Sequence, residues 1–356
     1  MESVTTINNA PIGVGICSMG MSGVVFHAPF IATNPKFKLV ATWERTKNVT
    51  SEKYPNVIIY STLEELLQND QVELVVVNTP NVTHYTYVKM ALMAGKHVVV
   101  EKPFVPSVAE CDELIQLAAK QNCLLSVYQN RRYDSDFLTV QKILAEGLIG
   151  DIREAEFHYD RFDNNLSYKT HKEVPQKGTG CLYDLGSHLI DQALTLFGMP
   201  EWVYADIFAM RPISKVDDYF ELLMYYNDFR VRLKASYQVR ELLPGYVLHG
   251  SKGSFVKYKS DTQESALQKG QLPNQADWGI EPSEVAGILH TEDGNEVIRK
   301  KFASVPGNYM DYYEGIYRAV RHHQSLPVTA EDGKNVIRII EAAFNSNEKK
   351  CAVKIS

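Results

Sequence analysis

The chain has 356 residues, 45% apolar and 22% charged, with a net charge of −6. That length suggests two domains with sizeable cores, and the acidic balance argues against nucleic acid or an anionic membrane as a partner. The five scattered cysteines include no C-x-x-C pair and hence no zinc knuckle. No apolar run nears the ~18 residues of a membrane helix, and the start lacks a signal-peptide pattern, so a cytoplasmic setting is expected.

IGVGI (12–16) reads as a buried strand, followed by a helix from near Gly20 that Pro29 should end or kink. FKLVATW (37–43) and NVIIY (56–60) are the second and third strands. STLEELLQN is a helix capped by Ser61 or Thr62, with Glu64 or Glu65 closing a capping box. VELVVVN (72–78) is a fourth strand, and THYTYVKMALMAG is a helix ending at Gly95. HVVVE (97–101) and LLSVYQ (124–129) are strands five and six, separated by a long helix that Ser107 caps. Uninterrupted V/I/L runs alternating with helices predict a doubly wound, Rossmann-type parallel sheet over residues 1–127.

Residues 128–356 read differently. Two helices, SDFLTVQKILAEG and CLYDLGSHLIDQALTLFG, flank one strand and a polar loop at 163–179. WVYADIFAM, DDYFELLMYYN, FRVRLKASYQ, YVLHGSKGSFVKY and EVIRKKF then predict an open, mainly antiparallel sheet, with 270–285 as a loop. Two helices, starting near Tyr309 and Glu331, close the chain. The expected class is therefore α/β in both parts.

The turn after the first strand, ICSMGMSG (16–23), resembles a dinucleotide-binding glycine turn in which Ser18 replaces the first glycine. Gly20 and Gly23 stand where backbone approach to pyrophosphate and tight helix packing are needed. Ser18 can turn as long as its φ is negative. Ser18, Met19, Gly20 and Gly23 are thus candidate cofactor contacts. Glu44 closes the second strand, 21 residues beyond Gly23, where a carboxylate takes ribose hydroxyls and favours NAD. Arg45 and Thr46 follow at once, and an arginine there suits the 2′-phosphate of NADP. The two signals oppose each other.

Ligands of such sheets bind beyond the strands' carboxyl ends. NTPNVTH (78–84), EKP (101–103) and YQNRR (128–132) lie there. They make Asn78, Thr79, Pro80, Asn81, His84, Glu101, Lys102, Asn130 and Arg131 candidate cofactor contacts. In YDLGSHLID, Asp184 and His188 are four apart on a helix, so a carboxylate can set an imidazole's tautomer and tune it near neutrality. Gly178 and Gly180 would let backbone approach a ligand. His158, His171, His188 and Asp184 lack a recognised metal-ligand spacing, and no metal is expected. Lys102 and His188 are candidate catalytic groups with Asp184. Tyr159, Arg161, Tyr168, Lys169 and Tyr237 are candidate substrate contacts, alongside Lys102, Asp184 and His188.

The glycine turn, EKP and DLGSH together resemble the Gfo/Idh/MocA oxidoreductase family. VVFHAPF, NTPNVTHY, AGKHVVVEKPF, LLSVYQNRRYDSDFLT, YDLGSHLIDQALTLFGMP, HGSKGSFVKY and NVIRIIEAA look like its NADP-linked scyllo-inositol 2-dehydrogenase branch. The resemblance implies an NAD(P)-binding N-terminal domain and a C-terminal domain whose sheet holds substrate on one side and forms homodimer or homotetramer contacts on the other. It implies sugar or cyclitol substrates, a catalytic lysine at Lys102, a D-x-x-x-H pair at Asp184 and His188, and a match of Arg131, Arg132 and Tyr133. Ser18 departs from the pattern, which bears on the path of the pyrophosphate. Two other activities fit the same resemblance: a sugar-modifying enzyme that recycles its cofactor without net redox, and a non-enzymatic dinucleotide-binding sugar sensor.

Overall fold

The computed structural model describes residues 9–44, 49–294 and 296–355. Six strands build the first sheet: β1 (Ile12–Ile16), β2 (Phe37–Trp43), β3 (Ile58–Tyr60), β4 (Leu74–Val77), β5 (His97–Glu101) and β6 (Leu125–Tyr128). All pair in parallel, in the order β3-β2-β1-β4-β5-β6. The order reverses direction beside β1, which places a crevice at the carboxyl ends of β1 and β4. Every residue of β1, β4 and β6 is buried, as expected of strands covered on both faces.

The predicted caps form. Thr62 and Glu65 make a reciprocal capping box on Leu63–Leu67, and Ser107 accepts from the N–H of Glu110 at the start of Val108–Lys120. The helix after the glycine turn does not end at Pro29. It runs on to Thr33, and its irregular stretch lies upstream, where Gly23–His27 widen to a π-helical turn. Pro29 is the second residue of the regular segment Ala28–Thr33, where its missing N–H costs little.

The second sheet contains β7 (Ile152–His158), β8 (Trp202–Phe208), β9 (Tyr219–Tyr225), β10 (Arg230–Ser236), β11 (Tyr246–Gly250), β12 (Gly253–Lys257), β13 (Gly287–Asp293), β14 (Glu296–Phe302) and β15 (Val353–Lys354). Their order is β14-β13-β12-β11-β7-β10-β9-β8-β15, antiparallel except for the parallel pair β7–β10. β8 alternates strictly, turning Val203, Ala205 and Ile207 inward and leaving Trp202, Tyr204 and Phe208 exposed on the open face. The inner face is covered by Ser187–Phe197 and by the long helix Ala330–Lys349, whose Ser346 Oγ accepts from the N–H of Ala205 at 3.0 Å.

Among the elements that escape the sequence reading are the helices Val49–Lys53 and Gln263–Gln268, β13 and β15.

The two sheets are joined by more than the strand-six connection. Helix Met310–His322 folds back onto the first sheet. Tyr312 shares a 2.7 Å hydrogen bond with Ser126, and Tyr313 stacks on Phe30 with ring centroids 6.1 Å apart. Arg321 grips Glu73 with two N–H groups at 2.8 Å each. Each fully buried aromatic contributes on the order of 1.5–3 kcal/mol, so this seam holds the rims of the crevice in register. Among the described residues no helix is long and apolar enough to cross a membrane.

Candidate active site

A single cleft of about 720 Å³ runs from the glycine turn to the helix carrying Asp184 and His188. Ser18 lies two residues beyond β1 and has no positive φ, so the condition for its turn is met. Its hydroxyl accepts from the N–H of Gly20 at 3.2 Å, and its carbonyl accepts from Asn78 Nδ2 at 2.8 Å. Gly23 packs so tightly that a Cβ would lie 2.1 Å from Ser18 O, whereas a Cβ at Gly20 would meet only the Ser18 hydroxyl, at 3.3 Å. Asn78 Oδ1 is buried without a partner at the same spot. An exposed glycine on the cleft wall, a crowded one behind it and an orphaned amide oxygen on one crevice fit a dinucleotide at the turn. The side chain of Met19 belongs to the core instead and is not part of the cleft wall.

Glu44 behaves differently from the ribose ligand expected. Its carboxylate accepts from the N–H groups of Val49 at 3.0 Å and Thr50 at 2.8 Å and from the Thr50 hydroxyl, so it closes the N-terminus of Val49–Lys53. Arg45 and Thr46 lie outside the described residues.

Beyond β4, Thr79 and Pro80 line the cleft. Asn81 donates across it to the carbonyl of Gly178. His84 is buried with Nε2 at 2.9 Å from Thr79 O and Nδ1 at 3.0 Å from Phe104 O, pinning the loop after β4 to the loop after β5. Burial lowers its pKa. Asn130 and Arg131 follow β6 on the cleft wall. Arg131 donates to Tyr309 at 2.9 Å and to Glu264, while Arg132 grips Asp191 through two bonds of 2.8 and 2.7 Å. The latter pair ties the β6 segment to the His188 helix.

Glu101, at the end of β5, accepts from Ser22 at 2.5 Å, His27 Nε2 at 3.0 Å and the N–H of Lys102 at 3.1 Å. Burial raises its pKa, but His27, Ser22 and the Lys102 charge outweigh burial and hold it at about 2. This carboxylate therefore locks the glycine-turn helix to the lysine.

Lys102 precedes Pro103 across a cis peptide bond and reaches the other half of the chain. Its Nζ donates to Asp184 Oδ1 and to the Asp184 main-chain carbonyl, both at 2.9 Å. A second ammonium, Lys172, donates to Asp184 Oδ2 at 2.7 Å. Burial opposes the charge on Asp184, but the two lysines dominate and keep its carboxyl well below the usual range. Leu182–Gly186 is π-helical, and the Asp184 carboxylate turns to the lysines rather than to His188. His188 Nδ1 is buried with no partner. Burial, then the charges of Lys102 and Arg131, push the imidazole pKa well below its ordinary value, outweighing Asp184. Its surroundings thus favour the neutral imidazole.

Tyr159 lies 6.3 Å from the His188 ring and 5.2 Å from the Arg161 guanidinium. Arg161, Tyr168, Lys169 and Tyr237 also border the cleft, with Tyr168 at the rim and 83% exposed. Gly180 owes its identity to Asp217: at φ +98° a Cβ would sit 1.9 Å from Asp217 Oδ1. Asp217 accepts from the N–H of Leu182 at 2.7 Å and is pushed up to about 6 by burial. His158 points elsewhere, bonded to Asp160 and Glu156. Lys172, Asp217 and Glu264 escaped the sequence reading, because no spacing links them to the helix or strand they serve.

Known proteins share this two-domain fold. Residues 12–129 match the NAD-binding Rossmann fold of the GFO_IDH_MocA oxidoreductase family, and residues 141–355 match its C-terminal alpha/beta domain. The chain is 39% identical over 339 residues to scyllo-inositol 2-dehydrogenase (NADP(+)) IolW of Bacillus subtilis, spanning 95% of this chain and 94% of that one. The structure of the oxidoreductase yvaA from Bacillus subtilis superposes with a TM-score of 0.94 at 38% identity, covering 98% of this chain and 99% of the other. That of an oxidoreductase from Bacteroides fragilis gives 0.89 at 46% identity, over 97% and 99%. With both domains matched and the relatives aligned nearly end to end, the chain belongs to the Gfo/Idh/MocA family of oxidoreductases and carries that family's NAD-binding Rossmann fold.

Proposed function

We propose that the protein is an NADP-linked dehydrogenase of a cyclitol or sugar with a scyllo-inositol-like array of hydroxyls. The observation that carries this reading is the 2.9 Å contact of Lys102 with Asp184 inside the cleft that His188 also lines. It joins an ammonium from one half of the chain to the D-x-x-x-H helix of the other. Residues 1–127 hold the dinucleotide and residues 128–356 the substrate. A dinucleotide held at the Ser18–Gly23 turn would supply the hydride acceptor for the substrate carbon. His188, kept neutral by burial, takes the hydroxyl proton at Nε2, the ring nitrogen not sealed in the wall. Lys102 hydrogen-bonds the same oxygen and stabilises its growing negative charge. Asp184 remains ionised, so it orients Lys102 rather than taking the proton. In reverse, His188 and Lys102 protonate and polarise a ketone.

NADP is favoured over NAD because the Glu44 carboxylate is engaged by Val49 and Thr50, which turns its charge away from a 2′-phosphate. The NADP linkage of the Bacillus subtilis relative agrees. Trp202, Tyr204 and Phe208, exposed on the open sheet face, support a homo-oligomer formed through that sheet. The test is a spectrophotometric screen of inositols, aldoses and their keto forms with NAD and NADP. Net NADP reduction by a polyol is expected. Turnover without a change in nicotinamide absorbance, or binding without turnover, would overturn the reading.

A further inference from the structure

The loop at 163–179 brings to the reacting centre a group that the chemistry above leaves idle. In its turn Thr170–Glu173, Lys172 places Nζ 2.7 Å from Asp184 Oδ2. An ammonium has three N–H donors. Lys102 commits two of them to Asp184, at 2.9 Å each, and so keeps one for a substrate oxygen. As negative charge grows on that oxygen, Lys102 is drawn toward it and away from the carboxylate. Asp184 is three-quarters covered, and an uncompensated carboxylate in such a place is costly. Lys172 removes that cost, because it stays on the second carboxylate oxygen. The other groups facing Asp184 do not substitute for it. Arg161 feels the Asp184 charge at longer range but lies over Tyr159 and forms no ion pair with the carboxylate among the described residues, and Tyr237, Cys181 and His188 carry no charge to offer.

We propose that, within the dehydrogenase reading above, Lys172 is a positioning residue: by pairing Asp184 Oδ2 it keeps the carboxylate compensated while Lys102 gives its remaining N–H to the reacting oxygen. It also fastens the polar loop to the centre, so that loop and lysine pair act together.

The test compares Lys172→Met and Lys172→Arg in the full chain with two measurements. One is the titration of the Asp184 carboxyl by NMR in ligand-free protein, its resonance assigned with Asp184→Asn. The other is the pH profile of kcat/KM for scyllo-inositol with NADP. Lys172→Met should move the Asp184 titration to higher pH, lower kcat/KM at least about tenfold, and shift the acid limb upward in step. Lys172→Arg should restore both. An unmoved Asp184 titration refutes the proposal, as does lost activity with an unmoved acid limb, which marks plain loop stabilisation. If the wild type fails to oxidise scyllo-inositol, the substrate reading falls, while the Asp184 titration still decides the role of Lys172.

Discussion

Replacing Glu101 by Gln should destabilise the protein by about 3 kcal/mol at neutral pH. The side chain is 14% exposed and accepts from Ser22, His27 and the N–H of Lys102. Those partners hold its carboxyl at about 2 against an ordinary 4.5. At 1.36 kcal/mol per unit, that difference is worth ~3 kcal/mol of stability. The folded pKa is the lower one, so the contribution is complete above pH 4.5 and drains away as pH falls toward 2. The gap between wild type and Glu101→Gln should therefore narrow from about 3 kcal/mol at pH 7 to about 2 kcal/mol at pH 3.5. The neutral-pH loss corresponds to a melting midpoint lower by roughly 4 °C for a chain of this length. Urea unfolding at both pH values, with linear extrapolation, reads the gap directly. An equal gap at both would show that the amide disturbs packing rather than charge, and a gap below about 1 kcal/mol would refute the argument outright.

Lys102→Met and His188→Asn should each depress turnover by ~100- to ~10,000-fold while leaving dinucleotide affinity, read by fluorescence of the reduced cofactor, nearly unchanged. Gly23→Ala would push a methyl to 2.1 Å from Ser18 O and should weaken dinucleotide binding at least about tenfold in the same titration. Lys257 and Glu281 form a fully buried pair at 2.7 Å that anchors the 270–285 loop. Lys257→Met should therefore cost ~3–5 kcal/mol in thermal unfolding, with Lys257→Met/Glu281→Leu recovering most of it.

The sequence determined what local interactions decide. Buried V/I/L runs, a Thr62–Glu65 capping box, Ser107 as a cap and the Gly20 and Gly23 turn all act within a few residues, so their patterns are readable in one dimension. They were enough to place Lys102 beyond the end of a strand and Asp184 and His188 on one helical run. Tertiary structure alone decided which groups those side chains would meet. Glu44 sits where a ribose ligand belongs, yet its lone pairs go to Val49 and Thr50. Asp184 and His188 are spaced for one helical face, yet a π-helical turn and two lysines claim the carboxylate. Lys172 stands in a loop without periodicity, and it reaches Asp184 only because the chain doubles back. A hydrogen bond depends on where two atoms end up in space, and for partners far apart along the chain that position is set by the packing of both sheets.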